Sequence, residues 1–393
     1  MTDAVIVAAA RTPIASAFKG SLVDVDAFEL GRQLLGEVVA RSGLDPETID
    51  GVQLGETLDG GGDVARFAAI EAGMDHVAGV AVNEHCASSL VAIANAAGSI
   101  KAGMDRAVVA GGVHSQSTSP RSKRRAPGAD EATDWMSPSH PETPDAPAFD
   151  MSITVGWNAA TEANVTREEM DAWALRSHQR AIAAIDEGRF DEETFPVEFV
   201  GRDGEKKTFA VDEHPRRETT AEKLAGLKVL HPEIDGFSIT AGNASGINDA
   251  AAAVVLASAE LAAEAGAEVL GTVKAWASAG VNPARTGLAP TIAIPKALER
   301  AGLTVADIDL WEINEAFASM CVATTRILGI DEDIVNVSGS GCSLGHPIAA
   351  SGARMVVSLV HELRRRGGGT GVAAMCAGGG MSTAIVIEVP APR

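Results

Sequence analysis

Residues 43–50 read GLDPETID and residues 302–309 read GLTVADID, an offset of 259. At the same offset Glu56 falls on Glu315 in the run WEINEAF, and Cys86 falls on Gly345, beside His346 in GCSLGHP. Further on, VVAGG at 108–112 has a counterpart in AAMCAGGGM at 373–381. Self-similarity of this kind means two halves built on one pattern of strand, helix and strand. A pseudo-symmetric pair of halves sets equivalent helix N-termini face to face across the interface. Cys86 and His346 are therefore expected to meet, although 260 residues separate them.

The elements follow that pattern. Ala4–Ala9 is a continuous apolar run, as in a strand buried on both faces. Asp26–Ser42 has helical spacing, with Phe28, Leu30, Leu34, Leu35, Val38 and Val39 on one side. Val52–Leu54 reads as a strand and Val64–Ala72 as a helix. His76–Val82 reads as a loop entering a buried strand, and Arg106–Gly112 as another buried strand. Thr166–Gly188 is a helix opened by the capping box of Thr166 and Glu169. In the second half Val269–Ala275 and Gly371–Met375 read as strands, and Ile292–Ala301 and Ile348–Arg365 as helices.

Between Ser115 and Thr240 the character changes. Ser, Pro, Asp and Arg crowd the stretch and periodicity is weak, which suggests a long insertion packed on the main body. The division expected is a first half over 1–118, completed by about 245–268, a loop domain over 119–244, and a second half over 269–393. Its basic groups (Arg121/Lys123/Arg124/Arg125, Lys206/Lys207, Arg216/Arg217) are most simply a solvated surface. The sharper reading is that some meet the phosphates of an anionic ligand.

A chain of 393 residues can bury a sizeable core. A net charge of −21 argues against a nucleic-acid partner. Four cysteines, none in a CxxC pair, make neither a disulfide framework nor a zinc site and fit a reducing cytoplasm. The apolar run near the N-terminus is too short for a membrane span and lacks a basic leader, and no other run is long enough.

Cys86, in VNEHCASS, lies at a strand-to-helix turn. Free N–H groups and the dipole of the following helix are expected there to favour a thiolate, the nucleophile of covalent acyl transfer. The second half offers Asn314, His346 and Cys376 at ends of buried strands, the last followed by Gly378–Gly380. Each alone has a plain structural reading as a turn, cap or core residue. Together they allow a specific chemistry. His346 can take the proton of Cys86, and Cys376 can move a second proton to or from carbon. Backbone N–H groups near Cys86 and Gly378 can hold one oxyanion, and His346 with a water fixed by Asn314 can hold another. Two oxyanion sites suit making or breaking a carbon–carbon bond between thioesters.

The chain resembles the thiolase family over nearly its whole length. The resemblance rests on RTP (11–13), VNEHCASS (82–89), TAGNASGIND (240–249), NEAFA (314–318), GHPIAASGAR (345–354) and CAGGGM (376–381). It implies an α/β fold, a duplicated αβαβα layering with an inserted loop domain that binds coenzyme A, and assembly as a homodimer or homotetramer. It implies that Cys86 is acylated, His346 activates it, Cys376 is the acid/base, Asn314 holds a water and Gly378 helps form an oxyanion hole. It places Ser245 and Ala244, Met151, Ala316 and Phe317 along the pantetheine path.

The sequence also departs from the family. Cys86-Ala87-Ser88-Ser89 stands where many thiolases have CGSG, Asp150 stands before Met151 where a histidine is usual, and SGSGCSLGHP adds Cys342. The expected activity is CoA-dependent cleavage of a 3-ketoacyl-CoA to acetyl-CoA or propionyl-CoA and a shortened acyl-CoA, reversible as Claisen condensation. Acyl-CoA and CoA are the partners, with CoA as substrate; no cofactor and no metal is implied. The departures suggest a degradative enzyme of β-oxidation or steroid breakdown. The alternatives are a biosynthetic thiolase forming acetoacetyl-CoA, a decarboxylating or hydroxymethylglutaryl-CoA synthase of the same fold, and a non-catalytic acyl-CoA-binding protein.

Overall fold

The computed structural model describes residues 2–59 and 62–392. The first half contributes β1 (Ala4–Arg11), α1 (Ala27–Ser42), β2 (Gly51–Gly55), α2 (Val64–Glu71), β3 (Ala78–Val82), α3 (Ser88–Lys101), β4 (Ala107–Ser115) and, after a long excursion, β5 (Asn248–Ser258). The excursion carries α4 (Arg167–Asp186). The second half contributes β6 (Gly271–Gly280), α5 (Pro290–Ala301), β7 (Leu310–Ile313), α6 (Ala318–Leu328), α7 (Ser351–Arg365), β8 (Gly369–Ala377) and β9 (Met381–Val389).

These strands run β7-β8-β9-β6-β1-β5-β4-β2-β3 across the structure. The order is a palindrome. Outward from the centre, each half begins with antiparallel pairs (β1–β5 and β5–β4; β6–β9 and β9–β8) and continues with a parallel one (β4–β2; β8–β7). The halves join through a short antiparallel contact, Val5 opposite Thr272 and Ile6 opposite Gly271. Even the irregularities repeat, with a register shift between Ile6 and Ala8 in β1 and between Val273 and Ala275 in β6.

The palindrome breaks at the rim, and a two-residue strand, Ala15–Ser16, pairs with β5 without a counterpart in the second half. β3 pairs along its length with β2, but its counterpart beside β7 is a single bridge between Trp311 and Val335. β3 was expected to be a buried strand. Instead it lies at the sheet edge with most of its residues exposed. An Ala/Gly/Val run satisfies an edge as readily as a core, so its apolar composition did not distinguish the two.

Helices fill the layers on either side. α1 and α2 cover one face of the first-half strands, burying Leu30, Leu34, Leu35, Val38, Ala65 and Ala68. α5, α6 and α4 cover the corresponding outer face of the second half. Between the two sets of strands lie α3 and α7, whose Leu90, Ile93, Val356 and Val360 share one core with Ile6, Val108, Val254, Met375 and Ile385. This is the five-layered α/β arrangement that the duplication demands. α1 is capped by Asp26, and Gly43 closes it in the left-handed region at φ 68°. The capping box opening α4 is present as read.

The excursion over residues 116–247 is pinned to the body by a buried charge cluster. Arg11 at the end of β1 gives Nε to Glu193 at 2.6 Å and both terminal nitrogens to Asp212 at 2.9 Å. Ser358 of α7 donates to the same Glu193 carboxylate. Among the described residues no helix is long and apolar enough to cross a membrane.

Candidate active site

The N-termini of α3 and α7 abut. Ser89 Oγ accepts from the Ala353 N–H at 2.9 Å. Gly112 and Gly55 leave room for the Ala349 carbonyl, since a Cβ at either would fall 2.0 Å or 2.8 Å from it. The N-termini of the helices that follow Cys86 and His346 are thereby brought together.

Cys86 sits two residues before α3, in a tight turn closed by Ala87 N–H to Glu84 O and Ser88 N–H to His85 O. The N–H groups of Gly378 and of Cys86 itself point at its sulfur. The expectation of a resting thiolate is corrected here. Burial outweighs those two donors and pushes the thiol up to about 11. Cys376, the penultimate residue of β8, is buried with its sulfur 3.5 Å from Met320 Sδ. Burial and the nearby Cys86 sulfur push its thiol well up. Cys321 and Cys342 are also buried, their thiols raised by burial and then by Glu315.

His346 is held from three sides. Its backbone N–H donates to Asn248 Oδ1 at 3.0 Å, and Asn248 Nδ2 in turn donates to Ala15 O. Gly345 makes this possible with φ 103°, because a Cβ there would lie 2.2 Å from Asn248 Oδ1. Ser351 Oγ lies 2.6 Å from His346 Nδ1 and donates its own hydrogen to Pro347 O at 2.9 Å. The serine oxygen therefore accepts from Nδ1–H, which leaves Nε2 as the free base. Asn314 places its amide 3.4 Å and 3.5 Å from the two ring nitrogens, and its Oδ1, though buried, has no partner among the described residues. Burial, then His114 and Arg354, hold the His346 imidazole down at about 3.

Glu315 ties these pieces together. Its buried carboxylate accepts from Trp173 Nε1 at 2.9 Å, Ser177 Oγ at 2.6 Å, Asn336 Nδ2 at 2.9 Å and the Cys342 N–H at 3.0 Å. It thus locks Asn314, one residue away, to α4 and to the loop that leads into His346. The sequence shows Glu315 as the repeat partner of Glu56. Ser351, Asn248 and Glu315 all lie inside motifs quoted from the sequence, but nothing in those motifs gives the bonds they make.

A cleft of about 840 Å³ opens beside this centre, lined among others by Lys19, His214, Arg216, Lys223, Leu227, Ala244, Ser245 and Cys342. Ser245 N–H donates to Ala316 O at 2.9 Å, and Ala244 bridges to Phe317, so these four residues come together. Ala316 and Phe317 are buried behind the cleft wall, while Met151 packs against the second-half outer core. Asp150 pairs with His231 Nε2 at 2.8 Å, and Glu233 holds the other ring nitrogen at 2.8 Å. Of the basic groups, Arg217, Lys207 and Lys123 pair with Asp186, Asp203 and Asp134, the solvated-surface reading. Arg216 lines the cleft.

The duplicated five-layered α/β body, carrying Cys86, His346 and Cys376 near the N-termini of its two central helices, is that of an acyltransferase. The chain belongs to the thiolase family. Residues 4–260 match the thiolase N-terminal domain and residues 267–389 the thiolase C-terminal domain. It is 42% identical over 400 residues to an acetyl-CoA acetyltransferase of Pseudomonas aeruginosa, covering 98% of this chain and 99% of that protein. It is 41% identical over 407 residues to one of Escherichia coli, covering 99% of each. The crystal structure of the Bacillus anthracis acetyl-CoA acetyltransferase superposes with a TM-score of 0.91 at 41% identity, covering 99% of both chains.

Proposed function

We propose that this thiolase cleaves 3-ketoacyl-CoA by a ping-pong route through an acyl-Cys86 thioester. His346 Nε2 removes the Cys86 proton, and the sulfur attacks the keto carbon. The N–H groups of Cys86 and Gly378 receive the oxyanion. The C2–C3 bond then breaks, and the departing acetyl-CoA enolate, its oxygen near His346 and Asn314, takes a proton at carbon from Cys376. CoA enters by the cleft along Ala244 and Ser245 with its phosphates toward Arg216, and removes the acyl group. Run backwards, the same steps are a Claisen condensation.

The observation that carries this reading is the Ser351 hydroxyl 2.6 Å from His346 Nδ1, which favours the tautomer with Nε2 unprotonated. A second reading, condensation of two acetyl units, is favoured by the names of the relatives. The four free thiols fit a cytoplasmic enzyme. The exposed edge of β3, with Val80 open beside Phe67 and Ile70 of α2, fits pairing with a second copy.

The test is intact-protein mass after brief exposure to acetoacetyl-CoA, a long straight-chain 3-ketoacyl-CoA and a branched or ring-bearing one. A mass gain that Cys86→Ser abolishes supports the reading, and the chain that labels best identifies the preferred acyl class. Binding of acyl-CoA without any mass gain would instead make the chain a non-catalytic binder.

A further inference from the structure

The residue before the nucleophile is a histidine. His85 holds φ at 48°, a left-handed conformation uncommon for any residue with a side chain. The turn fixes it there: its N–H bonds Asn83 Oδ1 at 3.0 Å, and its carbonyl accepts from the Ser88 N–H and hydroxyl. The base of the ring packs on the Gly378 turn, with Cγ 3.5 Å from where a Gly378 Cβ would stand. Ser139 of the inserted segment packs on the same turn, its Cβ 3.2 Å from that point and its carbonyl 2.7 Å from the equivalent point on Gly379.

His140 follows Ser139, but its ring is already engaged, Nδ1 with Ser139 Oγ at 2.8 Å and Nε2 with Ala146 O at 3.0 Å. His85 differs. Its ring is half-buried and neither nitrogen has a hydrogen-bond partner among the described residues. With no such partner, the ring leaves one donor and one acceptor open beside the nucleophile.

We propose that His85 is a specificity-determining residue that reads the acyl chain on Cys86, favouring chains that carry a neutral oxygen function, a hydroxyl or a carbonyl, over plain hydrocarbon. The inference rests on Cys86 being the acylated residue. An acyl group held there with its oxygen at the Gly378 N–H would lie against the turn on which His85 and Ser139 both pack. Burial first, and then His140, keep the His85 ring neutral, so it offers one donor and one acceptor rather than a cation. A neutral imidazole matches a hydroxyl or carbonyl, and a carboxylate would need it charged beside a second histidine.

The test compares kcat/KM for three chain-matched substrates: 3-ketohexanoyl-CoA, its 6-hydroxy derivative and its terminal carboxylate derivative. The full-length wild type is run beside His85→Leu and His85→Asn. In the wild type the hydroxylated substrate is expected to exceed the plain one by about tenfold, the scale of one added hydrogen bond. That ratio should fall to near one in His85→Leu and recover in part in His85→Asn. A wild type that fails to discriminate, that prefers the carboxylate, or whose preference survives in His85→Leu overturns the proposal. If His85→Leu does not fold, the wild-type ratios and His85→Asn still decide. Acetoacetyl-CoA labelling of Cys86 runs alongside, and its absence would mean that the acyl-Cys86 reading itself has failed.

Discussion

Ser351 Oγ and His346 Nδ1 stand 2.6 Å apart, and the serine hydrogen is committed to Pro347 O. One hydroxyl on the first residue of α7 thus sets which ring nitrogen of His346 can act as base. In the proposed mechanism His346 becomes a cation on taking the Cys86 proton, and its bond to Ser351 becomes charge-assisted. Such a bond is worth about 1.5–3 kcal/mol. Ser351→Ala should therefore slow acylation of Cys86 by roughly tenfold to a hundredfold, with substrate KM changed far less. Single-turnover labelling followed by mass spectrometry measures it. Acylation at the wild-type rate would show that the hydroxyl does not orient the base.

Cys376 concerns a different proton. Its thiol is raised by burial and by Cys86, so it rests protonated, ready to give a proton to carbon. In Cys376→Ala, exchange of the acetyl-CoA methyl hydrogens with deuterium from solvent should fall by at least a hundredfold. Acylation of Cys86 from acetyl-CoA should persist, because that half-reaction needs only His346. Nuclear magnetic resonance of acetyl-CoA in deuterated buffer separates the two. Equal loss of both steps would count against a dedicated carbon acid.

The free enzyme should have a sluggish thiol. Cys86 is raised to about 11 from the ordinary 9.0 because burial disfavours the charged form. A raised thiol holds less thiolate at any pH below its own pKa. At pH 8 the fraction is roughly a hundredfold below that of an ordinary cysteine. Alkylation of Cys86 by iodoacetamide should climb about tenfold per pH unit from 7 to 10 without levelling. A plateau near neutrality would mean that the thiolate is already present at rest.

Much of this architecture was readable beforehand. The octapeptide repeat announced two halves, and the palindrome of strands, down to the paired irregularities in β1 and β6, is what a duplicated gene leaves behind. Strong local signals such as the Thr166–Glu169 box and the apolar stripe of α1 translated directly, since caps and helical period act within a few residues. Edge and centre were not separable for β3, because that depends on what lies beyond the strand rather than on its own residues. From its turn alone Cys86 reads as a thiolate. Burial in the folded chain reversed the sign, although the N–H of Gly378, remote in the chain, works against it. Ser351, Asn248 and Glu315 lie inside motifs read from the sequence, but which groups they bond is set by the fold and is not written in those motifs.

β5 is the strand that pairs with both β1 and β4, yet it is made only after residues 116–247. As the chain leaves the ribosome, the first half therefore emerges with a gap in its middle, and β1 and β4 each wait with a bare edge. Closure of that gap joins strands far apart in sequence, the slow kind of contact. α3 also lacks the partner helix α7 until nearly the whole chain is out. The nascent enzyme is thus an unfinished sheet for most of its synthesis, and its productive folding falls late, when a single strand inserts between two that were waiting for it.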